Sequence, residues 1–156
     1  MILPVLITLA FVQSGITGDW LVVGSHREAV MAVNRTTLSR EADTASVTVL
    51  MGMFKAEAAQ PSPALIQYYL SDETFDCRSS SRIEHEVRVY GVEGEMLGTS
   101  LPDHEPQLRP GSIYGDILTM VCTTDLSLAA EGYVTPLDVI RGENAQRHSL
   151  GLEIID

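Results

Sequence analysis

Positive charge is the first scarcity in this chain. Ten Lys and Arg stand against 21 Asp and Glu, leaving a formal charge of −11 on 156 residues. Nucleic-acid binders draw their affinity from clustered Lys and Arg, so no nucleic-acid partner is expected. Adsorption to anionic membranes is disfavoured for the same reason. Cysteine is scarcer still. Cys77 and Cys122 stand far apart with no C-x-x-C pair, so no metal site is expected. Catalytic signatures are also missing: there is no G-x-S-x-G elbow, no H-E-x-x-H, no phosphate-cradling glycine loop and no dinucleotide fingerprint. These absences point away from an enzyme and from a bound cofactor. Aromatic residues are few, with Trp20 the single tryptophan.

What is present is the composition of one globular domain, large enough to bury a core without help. Its acidity suits a soluble exported domain. MILPVLITLAFVQSGITG carries no charged side chain before Asp19. The apolar run Ile2–Val12 has the length of a signal h-region and is short for a membrane span. Residues 1–18 are therefore expected to be a signal peptide cleaved near 14–18, where Val12 and Ser14 suit small-residue cleavage, leaving no stable membrane span after processing. The n-region offers only the terminal amine, and a buried strand or an uncleaved anchor are the competing readings. No cysteine follows the h-region to carry a lipid anchor. The expected location is periplasmic or secreted. Residues 19–125 are expected to form an exported sheet-plus-helix domain, and 126–156 a C-terminal extension with a short helix.

Short segments separated by turn residues follow the leader. Trp20–Val23 reads as a first strand, and Ala29–Val33 as a second that turns at Asn34 and Arg35. ASVTVLMGMF alternates with period two, placing Val47, Val49, Met51 and Met53 on one face. After the break QPSPA, ALIQYYL is a further strand leading through SDETFD to Cys77. In SRIEHEVRVYG, Ile83, Val87 and Val89 alternate with Glu84, Glu86 and Arg88, as in a half-buried antiparallel strand with one wet face. VEGEMLG supplies a turn and a short returning strand, and LPDHEPQLRPGS a loop. The period then changes. Ile113, Ile117 and Val121 recur on one helical face, with Ser112 as N-cap and Asp116 at the positive end of the dipole. TPLDVIRG signals a second short helix, with Thr135 as cap, Pro136 at the first position and Gly142 as the stop. The tail ends in an apolar run suited to an edge strand. The expected architecture is α+β: a small antiparallel sheet followed by one or two packed helices, with one disulfide.

Cys77 admits three roles. A metal ligand lacks companions. A catalytic thiol wants a nearby His and a positive setting, whereas Asp72, Glu73 and Asp76 crowd this stretch and only Arg78 adjoins it. A bridge from Cys77 to Cys122 fits the even cysteine count and an oxidising compartment, and it would pin helix to sheet. The bridge is the favoured reading.

The order of these landmarks resembles the surface-adhesin protein E family of small bacterial exported domains. It comprises a leader, a tryptophan-led strand (DWLVVGS), a second strand (AVMAVNRTTLSR) and a long pair (ASVTVLMGM and ALIQYYLSDETFDC) ending in the first cysteine. A strand with a glycine turn follows (RIEHEVRVYGVEGEML), then a proline-containing loop and a helix bearing the second cysteine (SIYGDILTMVC). The resemblance covers Trp20 to Cys122. It implies a compact sheet-plus-helix domain closed by a disulfide, adhesin-like binding of host matrix and serum proteins, and no catalytic residue to carry across. The chain departs from the family in lacking its lipid-anchoring cysteine and in continuing past Cys122.

The remaining polar residues suggest binding rather than chemistry. In EHE, Glu84 and Glu86 share a strand face opposite His85, so the three do not grip one ion. The loop group of Asp103, His104 and Glu105 reads as solvated, and would matter only if it gathered in a cleft with His85. Met51 and Met53 read as core. Tyr68, Tyr90, Glu84, Glu86 and Arg88 are the candidate binding face, with Tyr69 equally suited to a core position. The function that follows is non-catalytic binding of a protein or cell-envelope partner through a sheet face or edge. The alternative is a periplasmic carrier or sensor of a small apolar ligand held between sheet and helix.

Overall fold

A computed structural model describes residues 16–60, 62–105, 107–123 and 132–152. Most of the expected leader, residues 1–15, and the tail suited to an edge strand, 153–156, lie outside the described residues. The strands are β1 (Trp20–Ser25), β2 (Ala29–Glu41), β3 (Thr44–Ala58), β4 (Leu65–Asp76), β5 (Ser81–Gly91), β6 (Met96–Ser100) and the two-residue β7 (His104–Glu105). The helices are α1 (Ile113–Cys122) and α2 (Pro136–Ser149). All strand pairs are antiparallel, in the spatial order β1 to β6, with β7 beside β6 on the outer side of β5. The fold is α+β, as expected.

Period-two alternation in β3 sorts its side chains to two faces, and both faces are buried at the centre. Ala45, Val47 and Val49 join Leu21, Met31, Val33 and Phe75 under Ile117 and Val121 of α1. Leu50 and Phe54 join Trp20, Val30, Ala32 and Leu70 under Val139 and Ile140 of α2. Each face of the sheet thus carries one helix. Within residues 132–152, Val139 and Ile140 belong to this core, with Tyr133 and Leu137 packed against it. Gly52 is the seat of α2: a Cβ there would stand 2.5 Å from Ile140 Cγ1.

Both helices begin at the expected caps. Ser112 accepts from Gly115 N–H, and Thr135 with Asp138 closes a capping box behind Pro136. α2 differs from its expected short length by running through Gly142 to Ser149. The Tyr133 ring lies against Gly142, 2.5 Å from where a Cβ would be, and Arg147 donates to the carbonyls of His26 and Arg27 at 3.0 and 3.3 Å. Packing of the last turns outweighs the cost of one interior glycine, about 1 kcal/mol. α1 ends where Arg40 donates to the carbonyl of Val121 at 2.6 Å and to that of Thr123, covering acceptors the helix leaves open.

Two strand readings need correction. β2 does not turn at Asn34 and Arg35 but continues to Glu41. The buried Asn34 side chain accepts from the N–H and hydroxyl of Thr36, absorbing an irregularity of register. In β5, Asp72 faces Glu86 and Glu73 faces Glu84, so His85 is an extra residue and the alternation inverts there. Ile83 therefore leaves the face of Val87 and pairs with Thr74, half exposed.

Cys77 and Cys122 are joined, 45 residues apart. The bridge ties the end of β4 to the end of α1. Asp76 shapes the turn that carries Cys77 by accepting from the N–H groups of Arg78 and Ser79 at 2.8 and 2.9 Å. Reduction, or the Cys77→Ser/Cys122→Ser pair, is expected to lower stability by about 4 kcal/mol on the chain-entropy account, read as a fall in the denaturant midpoint. Gly52→Val is expected to cost about 1–3 kcal/mol by forcing α2 off the sheet, whereas the same change at the open Gly111, a left-handed turn position, would leave the α2 packing untouched.

Candidate functional site

Neither helix covers the whole of its face, and the uncovered remainders define the candidate surfaces. On the α1 side a groove of about 300 Å³ is lined by Val49, Met51, Tyr69, Val87, Leu101 and Tyr114 together with Ser71, Glu84 and Ser100. On the α2 side a polar basin of about 420 Å³ is lined by Thr37, Ser46, Thr48, Asp72, Thr74 and His85 among others. Its floor is hydrogen-bonded across strands. Ser46 and Thr74 hydroxyls lie 2.9 Å apart, Thr74 lies 2.9 Å from His85 Nε2, and Thr48 donates to Asp72 at 2.8 Å.

Beside the groove sits the most unusual feature of the core. Glu73 is 1% exposed and Arg82 4% exposed, both on the α1 face. Strand alternation places Glu73 between Ser71 and Phe75, and pairing of Phe75 with Arg82 brings the guanidinium to the same face. Ser71 donates to Glu73 Oε1 at 2.6 Å, and Arg82 lies 3.4 Å from Oε2. Arg82 also approaches Glu84 at 3.7 Å and Asp103 at 3.6 Å, and its guanidinium lies 3.8 Å from the centre of the Tyr114 ring. The cluster holds the first turn of α1 to β4 and β5. Glu73 reads as part of an acidic, wet stretch in sequence; its inward position was recoverable only from the period-two set Ser71, Glu73, Phe75.

Of the five residues proposed as a binding face, four share the α2 side and one does not. Tyr68 and Tyr90 form a cross-strand pair with stacked rings, centroids 4.7 Å apart, but at 3% and 6% exposure they belong to the core and offer no binding surface. Arg88 holds both carboxylate oxygens of Asp72 at 2.8 and 2.9 Å. Glu86 is exposed opposite Asp72. Glu84 lies on the α1 side, turned there by the extra His85, and accepts from Asp103 N–H at 2.6 Å. Among the described residues, no group of three or more His, Cys, Asp and Glu side chains could hold a metal ion. Nor is any described helix long and apolar enough to cross a membrane.

The two edges of the sheet contrast. Outside β1, Gly18 and Trp20 donate to the carbonyls of Val134 and Tyr133 at 2.9 Å, and Tyr133 N–H returns to Trp20 at 2.9 Å. Outside β6, no described residue pairs with the strand.

An antiparallel sheet tied by one disulfide to its first helix is similar in fold to protein E. Among the solved structures it is similar to are those of protein E from Haemophilus influenzae. The structure from a non-typeable strain aligns with a TM-score of 0.50 at 8% identity, covering 86% of this chain and 93% of that one. Another crystal form aligns at 0.47 with 13% identity over 71% and 89% of the two chains. At these identities the likeness is one of fold. No family model matches the chain, and no curated protein sequence matches it.

Burial raises the Glu73 carboxyl to about 7, against the lowering effects of Ser71 and Arg82. The folded state then holds this proton more tightly than the unfolded chain. The stabilising contribution is complete below about pH 4.5 and is lost as pH rises through 7. Denaturant titrations from acid to neutral pH are expected to show that decline, and Glu73→Gln to remove it.

Proposed function

We propose that the chain is an exported, non-catalytic domain that binds a protein or cell-envelope partner at the β6 edge of its sheet. On this reading residues 1–18 act as a signal peptide cleaved near 14–18, and the mature domain is periplasmic or secreted. The Cys77–Cys122 bridge supports an oxidising compartment, since such bonds persist outside the reducing cytosol. The resemblance to protein E in fold is compatible with an adhesin-like role. The observation that carries the binding reading is an apolar rim on an otherwise acidic chain: Met96 is 54% exposed and Leu97 stands beside it on β6, and Leu101, just past the end of the strand, is 90% exposed. Apolar side chains gathered at an unpaired edge suit a contact surface better than open water.

The groove between the sheet and α1 favours a second reading, a carrier or sensor of a small apolar ligand. Its lining of Val49, Met51, Tyr69 and Val87 supports that, and its volume lies at the small end of ligand sites.

Two measurements in the native host test the first reading. Intact mass should show a chain shortened by its leader, with both thiols blocked until reduction. A photo-crosslinking residue at Leu101 should capture a discrete envelope or secreted protein that the same residue at Arg141, exposed on α2, does not. A full-length chain with free thiols would overturn export, and an absence of adducts at Leu101 would overturn binding at this edge.

A further inference from the structure

The structure assigns the outer edge of β6 to an extended, basic segment of a partner, which adds to the sheet as a further strand. This inference rests on the reading that the domain binds a protein partner, and it names the chemistry of that partner.

Among the described residues, nothing pairs with the outer side of β6. Natural sheets protect exposed edges with Lys, Pro, inward charges, bulges, short strands or a covering segment; of these β6 has its five-residue length and the bulge near Leu97. Met96-Leu97-Gly98-Thr99-Ser100-Leu101 contains neither a charge nor a proline. β1, at the opposite edge, is met at its first residue, Trp20, and at the preceding Gly18 by residues 133–134 through three backbone hydrogen bonds. Along β6 the register against β5 is regular from Gly98 to Ser100, opposite Val89 to Val87, and one irregularity is confined to the hairpin end near Leu97. Gly98 to Ser100 thus keep a strand register that a partner strand can extend.

The charge around this edge selects the partner. Residues 91–103 contain Glu93, Glu95 and Asp103 and no Lys or Arg. The nearest cations on β5 are committed, Arg82 to Glu73, Glu84 and Asp103, and Arg88 to Asp72. Acidic residues thus stand in the hairpin before β6 and in the loop after it. A strand of five residues spans roughly 17 Å, so a segment of about seven residues with Lys or Arg near its ends reaches both. Its side chains on the α1 face would meet Leu101 and Ser100, which border the apolar groove, so apolar residues at alternate positions fit. A second copy of this chain is the poorer occupant. Each copy carries −11, and a symmetric β6 to β6 contact would set the same acidic stretch against itself.

The test uses the mature, oxidised domain and a capped heptapeptide alternating lysine and valine, compared with its glutamate counterpart. Two further versions carry N-methyl groups on every second residue, in one register or the other. The lysine peptide is expected to bind, to weaken as salt rises, and to shift the backbone amide resonances of residues 96–101. The glutamate peptide is expected not to bind. One N-methylated register should lose about tenfold or more in affinity while the other retains it, because only one set of amides faces the β6 edge. The inference is overturned by an absence of lysine-peptide binding up to about 1 mM, by equal effects of the two registers, by shifts that map elsewhere, or by self-association through residues 96–101. Partner capture from Leu101 is read independently. A partner captured there alongside a contrary peptide result would remove strand addition alone and leave the broader reading standing.

Discussion

β3 presents Ala45, Val47 and Val49 to one side and Leu50 and Phe54 to the other, so neither side of the sheet can be left to water. Much of the architecture follows from that requirement. A strand apolar on both faces needs two covers, and a chain of this length supplies them after the sheet is complete. α1 takes the first face and is tied there by the bond from Cys77 to Cys122. α2 takes the second and has no covalent tie. It is held by Val139 and Ile140 on the core, by the bare surface of Gly52, and by Arg147 reaching the β1–β2 turn.

The price of two covers is that each is partial. Helices of 10 and 14 residues cannot roof strands of up to 15 residues, and the exposed remainders take different characters. On the α2 side the uncovered rows carry hydroxyls, His85 and the Asp72–Arg88 pair, which water can solvate. On the α1 side the uncovered rows stay apolar, and the Glu73–Arg82 cluster marks the boundary between roofed and open sheet. Burying Glu73 beside Arg82 restricts which orientation of α1 the core accepts, since Tyr114 lies over the Arg82 guanidinium. The open groove and the open β6 edge meet at Ser100 and Leu101, so recognition and the limits of the fold share a boundary.

The likeness to a protein E structure at 8% identity is a likeness of fold. Side chains that choose a partner vary freely on the same frame, so the fold does not carry the partner with it.

Local regularities made the strands, the α1 helix, both helix caps and the cysteine pairing legible, because period, capping chemistry and cysteine count are properties of neighbouring residues or of composition. They failed where one residue changed the count. His85 is ordinary in sequence, yet its extra place in β5 sends Glu84 to the face opposite Glu86 and returns Ile83 toward solvent. Tyr68 and Tyr90 have the spacing of surface residues on strands half covered by water, and only the arrival of α2 buries them. Gly142 carries a stop signal that the packing of Tyr133 and Arg147 overrides. The amino-acid order by itself determined the α+β class, the acidic character and the disulfide. The tertiary structure decided which faces are covered and which edge is left open, because burial depends on segments that meet only after the chain has turned back on itself.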